Sequence, residues 1–371
     1  MKNQKKNAWS IIALIAIVAI TGVALFLNKG GQADNKVFVV IPLSGTLAAP
    51  TQDVKKVMEL AQEQIYQSDI SLEFIDAESS PEKAISAMRQ RIIGVKDPLV
   101  VTGVTAISSA LIPALNEMNG FAFAYATVNS DSLKPYDNFQ RVCYGVEDVT
   151  GLICDHISGK YKKVAVFYSE EEYGINSRDF FTEKNAANGI QTVSVGFTPK
   201  DINVRELASR LLQYDGVEAA YVVGPFSVSY LNLIKELKLI CVPKKIDMFA
   251  DITFSMPAVH RSLGKDAEGV VFPCIDAQLD NPTTQTGAEF KEFCKQLDVE
   301  PYFLTAQAAD IIKLIKYMKE HQIAFSQSSI LNIGTIDGVS GKLEFLPHGN
   351  CNYSFILGHV EHNTIIAEKK Q

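Results

Sequence analysis

Small hydroxyl residues are concentrated in one loop of the chain, between a short apolar run and a segment with helical periodicity. These residues are Thr102, Thr105, Ser108 and Ser109. A second polar turn begins at Thr127, ends at Asn129 and follows the next apolar run, residues 121–126. Hydroxyl groups and the free N–H groups at a helix start both suit a carboxylate or a neutral polar group. The two turns are therefore candidates for binding a small ligand, and the alternative is that each hydroxyl only caps the helix.

The charge of this stretch narrows the class of ligand. Glu117 is the only charged residue between Thr102 and Asn129, so the stretch has no Arg or Lys to neutralise a phosphate. A helix dipole contributes about 0.3–1 kcal/mol, which is far less than the burial of an anion costs. Several hydrogen bonds of about 1.5–3 kcal/mol each would have to offset that cost. A zwitterion or a small amide therefore fits this stretch better than a multivalent anion.

The elements that would position the two turns form a parallel β–α–β unit. The apolar runs at 99–101 and 121–126 predict buried strands, with a helix between them. Because Pro113 is tolerated only near a helix start, the sequence predicts that this helix begins at Ser108 or Ser109. Both polar turns then follow the carboxyl ends of parallel strands, which is the edge where open α/β sheets bind ligands.

The alternation of strands and helices restarts near residue 144, and it predicts an α/β fold with two doubly wound parallel-sheet lobes. The chain has 371 residues, of which 47% are hydrophobic and 21% are charged, and this is enough to build two domains. Its formal net charge is −7; without the four lysines that precede residue 33, 31 basic and 42 acidic residues give −11. This acidic body argues against nucleic acid as a partner.

The N-terminus carries an uncharged apolar segment at 8–27, preceded by Lys2, Lys5 and Lys6. Twenty such residues can span a bilayer, and the lysines would keep the N-terminus in the cytoplasm. The alternative is a cleaved signal peptide, for which residues 31–33 offer small side chains near a cleavage site. Both alternatives place the body in a periplasmic or extracytoplasmic compartment. The length of the segment favours an uncleaved anchor, with membrane contact through residues 8–27.

No motif for catalysis or cofactor binding stands out. The six histidines are scattered, and the sequence contains no HExxH, nucleophile elbow, Walker loop or strand-linked GxGxxG. The residue types that could bind zinc occur together in one group, His348, Cys351, His359 and His362. Their spacing matches no common zinc site. We therefore expect neither an enzyme nor a bound metal or cofactor, and the pairing of the six scattered cysteines stays open.

In the order of its motifs the chain resembles the type I periplasmic solute-binding proteins of ABC importers, especially the leucine/isoleucine/valine-binding group. The motifs are IPLSG at 41–45, the Thr/Ser loop with its helix, EYG at 172–174, EGVV at 268–271 and GVSGKLEF at 338–345. Each motif is weak alone, and their order and spacing carry the resemblance, which covers residues 36–367.

The resemblance implies two lobes that are joined by a three-crossover hinge and close on a small ligand. It implies that residues 36–144 and 275–337 form the first lobe, that 145–274 and 338–371 form the second, and that 1–35 are a leader or anchor with its linker. It further implies a monomer that receives a small-molecule solute and delivers it to an ABC permease in the membrane. An extracytoplasmic sensor of the same fold, signalling through a separate partner, is the alternative.

Candidate ligand-binding residues follow from the same resemblance. In the first lobe they are Thr105, Ser108 or Ser109, Thr127 and Asn129, which would hold a ligand carboxylate. In the second lobe Tyr173 would cover the ligand, Phe226 would add an aromatic contact, and Asp251 would pair with an ammonium group. The Thr/Ser loop is one residue shorter than the family pattern and the acid is off register. An amide, urea or an aromatic acid therefore stays open beside an amino acid.

Overall fold

A computed structural model describes residues 35–45, 48–127, 131–198, 203–339 and 341–368. Asn129 and the predicted membrane segment at 8–27 lie outside these ranges. Strands and helices alternate from residue 36 to residue 141. These elements are β1 (Lys36–Ile41), α1 (Ala48–Leu60), β2 (Ser71–Asp76), α2 (Pro81–Ile92), β3 (Leu99–Gly103), α3 (Thr105–Asn116), β4 (Phe121–Tyr125) and β5 (Phe139–Arg141).

The alternation continues through the rest of the chain. The next elements are α4 (Val146–Ile157), β6 (Lys163–Ser169), α5 (Glu172–Ala187), β7 (Gln191–Phe197), α6 (Val204–Ser209), β8 (Ala219–Val223), α7 (Val228–Lys244), β9 (Asp247–Ala250), α8 (Pro257–Leu263) and β10 (Val271–Cys274). The last are α9 (Gln285–Gln296), α10 (Phe303–Glu320), α11 (Gln327–Ile333), β11 (Thr335–Gly338), β12 (Gly341–Leu346), β13 (Asn350–Asn352), β14 (Ile356–Glu361) and β15 (Thr364–Ala367).

Two parallel sheets with the same strand order organise these elements. The first sheet has the order β2-β1-β3-β4-β5, and the second contains β7-β6-β8-β9-β10 extended by antiparallel β14 and β15. All residues of β3, β4 and β8 are buried, which explains why these strands are continuous apolar runs instead of alternating ones. The predicted α/β class with doubly wound parallel sheets is confirmed.

The chain crosses between the two sheets three times, after β5, after β10 and between β13 and β14. Helix α10 returns to the first sheet, where the Ala126 N–H donates to Gln307 Oε1 at 3.0 Å. Asp310 of the same helix is fully buried and accepts from the Val339 N–H at 2.6 Å and the Tyr353 hydroxyl at 2.9 Å. One carboxylate therefore ties α10 to the residue that follows β11 and to the residue that follows β13.

A third, antiparallel sheet of β11, β12 and β13 lies beside the first sheet. The backbone N–H of Arg141 donates to the Gly349 carbonyl at 2.9 Å, and Gln140 Nε2 donates to the Asn350 carbonyl at 2.9 Å. Residues 349–350 thus contact the first sheet, whereas the sequence-based division assigned all of 338–371 to the second lobe. The lobe boundaries themselves stay a prediction.

Helix α3 begins earlier than the sequence predicted. It starts at Thr105 and not at Ser108 or Ser109, so Pro113 lies inside the helix. A proline at this position removes the hydrogen bond that its N–H would give to the Ser109 carbonyl, and its ring crowds that carbonyl. A buried helix tolerates this cost when its apolar face is well packed. The apolar side of α3 is fully buried through Leu111, Ile112 and Leu115. The free energy gained by this packing outweighs the cost of the proline in the helix.

Candidate functional site

A cavity of about 430 Å³ lies where the carboxyl ends of the two parallel sheets face each other. The elements packed on the first sheet contribute Pro50, Thr51, Val104, Thr105, Ala106, Tyr125, Ala126, Phe303 and Leu304. The first crossover and the second sheet contribute Tyr144, Glu171, Glu172, Tyr173, Pro225, Phe226, Thr253 and Met256. Ligands of doubly wound folds bind at this edge, so the cavity is the candidate functional site.

Two non-glycine residues with positive φ form part of the cavity wall. Val104 has φ 71° directly after β3, and Ala126 has φ 44° directly after β4. For a β-branched residue such as Val104 this conformation is a genuine outlier. Backbone strain of this kind costs about 1–3 kcal/mol and clusters at binding sites, where the surrounding structure holds it in place. The strain therefore marks the turns after β3 and β4 as a constrained part of the cavity.

The predicted hydroxyls of the first lobe do not all face the cavity. Thr105 lines it, whereas Ser108 and Thr127 are fully buried beneath it. Thr127 Oγ1 lies 2.8 Å from Ser108 Oγ and 2.8 Å from the Tyr125 carbonyl oxygen. These two hydroxyls therefore tie α3 to the end of β4. Ser109 Oγ is buried and has no hydrogen-bond partner among the described residues.

Asp251 is also buried, in contrast to the expectation that it meets the ligand directly. It follows β9, is 0% exposed, and does not line the cavity. Its Oδ1 accepts from the Tyr230 hydroxyl at 2.8 Å, and its Oδ2 accepts from the Tyr173 hydroxyl at 2.8 Å and from Thr253 Oγ1 at 3.0 Å. The Gly224 backbone N–H also donates to this carboxylate. Tyr173 and Thr253 thus separate the carboxylate from the cavity.

Burial raises the pKa of Asp251 to about 6, although its hydroxyl donors partly oppose that shift. Burial, and then the nearby Asp251 charge, raise the pKa of Tyr173 well above its ordinary value, and the same two causes act on Tyr144 and Tyr230. The phenols therefore keep their protons at neutral pH. The cluster then consists of one carboxylate surrounded by protonated hydroxyl groups.

The remaining cavity wall is aromatic and acidic. Tyr125, Tyr144, Tyr173, Phe226 and Phe303 line it together. The exposed glutamates Glu171 and Glu172 lie at the start of α5, and none of the described residues that line the cavity is Arg, Lys or His. The Tyr125 hydroxyl is buried and finds no partner among the described residues. The cavity therefore offers aromatic surface, a few hydroxyls and negative charge.

The described part of the chain contains neither a metal-binding cluster nor a membrane-spanning helix. There, no three His, Cys, Asp or Glu side chains come together in a way that could hold a metal ion. All six cysteines are buried and unpaired in the structure. Within the same ranges no helix combines the length and the hydrophobicity that crossing a bilayer requires.

Solved structures with the same architecture include solute receptors of ABC transporters. A leucine-binding protein from Thermotoga maritima superposes with a TM-score of 0.76 at 20% identity, over 90% of this chain and 97% of that one. This chain has the type I periplasmic binding protein fold. A Rhodopseudomonas palustris binding protein in complex with 3,4-dihydroxybenzoic acid has a TM-score of 0.77 at 17% identity, over 90% of this chain and 96% of the other.

Further comparisons agree with this periplasmic binding protein fold. The Streptococcus pneumoniae branched-chain amino acid binding protein LivJ, in complex with isoleucine, superposes with a TM-score of 0.73 at 14% identity, over 90% of this chain and 97% of LivJ. Leu/Ile/Val-binding protein homolog 3 of Brucella melitensis is 28% identical over 225 residues, which are 58% of this chain. The match spans 60% of that relative's length. No family model matches the sequence.

Within this binding protein fold, the cavity brings together three of the predicted site residues, Thr105, Tyr173 and Phe226. Sequence reasoning missed Val104 and Tyr125. A signal for Tyr125 was present, because it is the last residue of the buried strand before the second polar turn. No residue type signals Val104, since positive φ normally selects glycine or asparagine.

Proposed function

We propose that the chain is the extracytoplasmic solute-binding receptor of an ABC importer. It would bind a small polar solute, an amino acid or an amide-like molecule, between two closing lobes and deliver it to a permease in the membrane. The observation that carries the proposal is the cavity at the facing sheet edges, to which both sheets contribute aromatic residues. The proteins with the same fold that bind leucine, isoleucine or an aromatic acid support it.

Different residues of the cavity would bind different parts of the ligand. Thr105 stands at the start of α3, where the hydroxyl and the first backbone N–H groups of the helix suit a polar end of the ligand. Tyr173 and Phe226 would cover the ligand body from the second sheet. Ser108, Thr127 and Asp251 would position the cavity-lining residues from behind the cavity wall. Asn129 belongs to the same polar turn of the sequence as Thr127. Binding would use no chemical step, so we propose a receptor and not an enzyme.

Lobe closure would occur at the three crossovers between the sheets. Asp310 holds two segments of the tail at one of them, through the Val339 N–H and the Tyr353 hydroxyl. Rigid lobes connected by a few such segments typically close on a ligand by hinge motion. We further propose a monomer, held at the outer face of the membrane by the apolar segment at 8–27 with its lysines inside.

A thermal-shift screen of the purified full-length chain tests the proposal. The panel contains amino acids, amides, urea, organic acids, organic amines and sugars. A ligand at about 100 times its dissociation constant stabilises the fold by about 2.7 kcal/mol, which gives a clear rise in Tm. We expect at least one small solute to raise Tm, and Thr105→Val, which removes only a cavity hydroxyl, to reduce that rise. If no solute of any class raises Tm, the receptor proposal is wrong.

A membrane-anchored sensor is the second candidate function, and the uncharged apolar length of residues 8–27 is what favours it. The sensor would transmit ligand binding to another protein without releasing the ligand. Reconstitution with the permease encoded nearest to the gene distinguishes the two. Ligand-dependent ATP hydrolysis by the reconstituted importer supports transport, and its absence despite ligand binding favours sensing.

A further inference from the structure

We infer that the chain has a second small-molecule site, in a cavity beside the second crossover, and that this site takes a hydroxylated organic monoanion of the sugar-acid class. This crossover cavity has a volume of about 520 Å³, within the range of small-molecule sites, about 300–1,000 Å³. It shares no lining residue with the cavity between the sheets. The inference therefore does not depend on which solute that other cavity binds.

The wall of the crossover cavity is built on the folded core. Helix α8, the crossover itself, α9 and the turn between β14 and β15 all contribute to it. Ala267, Ala277 and Val360 line the cavity and are buried. Gln278 Nε2 donates to the Ser255 carbonyl at 2.6 Å, which ties the crossover to the segment after β9. The cavity is therefore a formed part of the structure and not a gap between surface side chains.

Lys291 of α9 is the group in this wall that favours an anion. Its Nζ donates to the carbonyls of Leu279 and Asp280, the second at 3.0 Å. An ammonium group has three N–H donors, so one donor is left after these two bonds. Lys291 is half-buried, and it forms no ion pair with the residues that the structure describes. A carboxylate in the cavity would supply both the missing acceptor and the counter-charge.

The other charged groups of the wall limit the ligand to one negative charge. Arg261 and Glu300 both line the cavity and form an ion pair at 2.6 Å, so their charges offset each other. Asp280 also lines the cavity, and its carboxylate accepts from Asn281 Nδ2 at 3.1 Å. A second negative charge on the ligand would meet this carboxylate and no further unpaired cation. A monocarboxylate therefore suits the wall better than a phosphate ester.

His260 and Ser255 add two uncharged polar groups to the same wall. His260 Nε2 and Ser255 Oγ are buried, and neither has a hydrogen-bond partner among the described residues. Burial lowers the pKa of His260 to about 4, and its ring is hydrogen-bonded to the Phe254 backbone carbonyl. A neutral imidazole carries one proton, which this bond uses, so Nε2 is an acceptor. Ligand hydroxyl groups can donate to Nε2 and can bond to Ser255 Oγ, and they would satisfy two buried polar atoms.

Three compounds with the same six-carbon chain test this inference. D-Gluconate carries hydroxyl groups and a carboxylate, sorbitol carries only the hydroxyl groups, and hexanoate carries only the carboxylate. Isothermal titration of the full-length chain should show that D-gluconate binds at least tenfold more tightly than either of the others. D-Glucuronate tests a cyclic acid of the same class. The inference is wrong if neither sugar acid binds, or if sorbitol or hexanoate binds as tightly as D-gluconate.

Two variants test the assigned residues. Lys291→Gln removes the charge, and His260→Phe keeps a ring between Phe254 and Phe272 while removing the acceptor nitrogen. Each should weaken the binding of the sugar acid by tenfold or more. The matched control is Lys313→Gln, because Lys313 is also half-buried and donates to a backbone carbonyl, that of Asp337, but does not line the crossover cavity. This control should leave the binding unchanged.

A competition experiment distinguishes this inference from the proposed receptor function. A solute that the thermal-shift screen identifies is added to saturation, and the sugar acid is then titrated. One molecule of sugar acid per chain should still bind. If the solute prevents this binding, or if folded Lys291→Gln and His260→Phe bind the sugar acid like the wild type, the crossover cavity is not its site and the inference is wrong. The receptor proposal stands in both cases.

Discussion

The buried carboxylate of Asp251 predicts an unusual dependence of stability on pH. Its pKa is about 6 in the folded protein against 3.8 in the reference state. The folded state therefore holds this proton more tightly than the unfolded state does. The contribution of Asp251 to the free energy of unfolding is fully present below pH 4, and it is lost as pH rises through 6. A difference of about two pKa units corresponds to about 3 kcal/mol.

Urea unfolding of the wild-type chain and of Asp251→Asn at several pH values between 3.5 and 8 measures this effect. The quantity of interest is the wild-type free energy of unfolding minus that of the variant at each pH. Other titrating groups, including Asp148 with its pKa raised to about 6, are present in both proteins and cancel in this difference. We expect the difference to fall by about 2.4 kcal/mol between pH 4 and pH 7, and to stay nearly constant above pH 7.

Asp276 provides a control of opposite sign. Hydrogen bonds from Thr283 and Thr284 lower its pKa, although partial burial opposes them. Its stabilising contribution is therefore present above pH 4 and is lost at lower pH, so the difference measured with Asp276→Asn should rise with pH. A flat or rising difference for Asp251→Asn would refute our reasoning. It would mean that the surrounding hydroxyl donors outweigh the burial of the carboxylate.

Two further predictions concern stability. Val104→Gly should raise the free energy of unfolding by about 1 kcal/mol, because the relief of the positive φ of 71° exceeds the conformational entropy that glycine loses on folding. Urea unfolding measures this change. A loss of stability would show that Val104 is not strained. Asp310→Ala should lower the free energy of unfolding by about 3 kcal/mol, because the Val339 N–H and the Tyr353 hydroxyl lose a buried acceptor. Calorimetric unfolding measures this change. The control is Asp337→Ala on the neighbouring β11, which should change the stability little.

The parts of the fold that the sequence predicted are those that depend on local patterns. Continuous apolar runs such as residues 99–101 and 121–126 belong to strands buried on both faces, so their composition alone identifies them. The start of α3 could not be predicted in the same way. Local preference places Pro113 near a helix start, but burial of Leu111, Ile112 and Leu115 against the sheet overrides that preference.

The location of the site and three of its residues could also be predicted from the sequence. Topology places the turns after β3, β4, β6, β8 and β9 at facing sheet edges, and residue types then suggested Thr105, Tyr173 and Phe226. Burial within the site depends on contacts between distant segments. Asp251 is enclosed because the hydroxyls of Tyr173 and Tyr230, 78 and 21 residues away in the sequence, both reach it. No local pattern contains such a contact.

The Asp251 cluster links the stability of the fold to the arrangement of the cavity wall. Among side chains of this size, only a carboxylate can accept at both ends at once, as Asp251 does from Tyr230 on one oxygen and from Tyr173 and Thr253 on the other. An asparagine would replace one acceptor with an N–H donor and would leave a buried hydroxyl without an acceptor. The raised pKa means that the ionised carboxylate costs stability at neutral pH. The same carboxylate fixes the Tyr173 and Thr253 hydroxyls in the cavity wall, and Asp251→Asn tests its cost through the dependence of stability on pH.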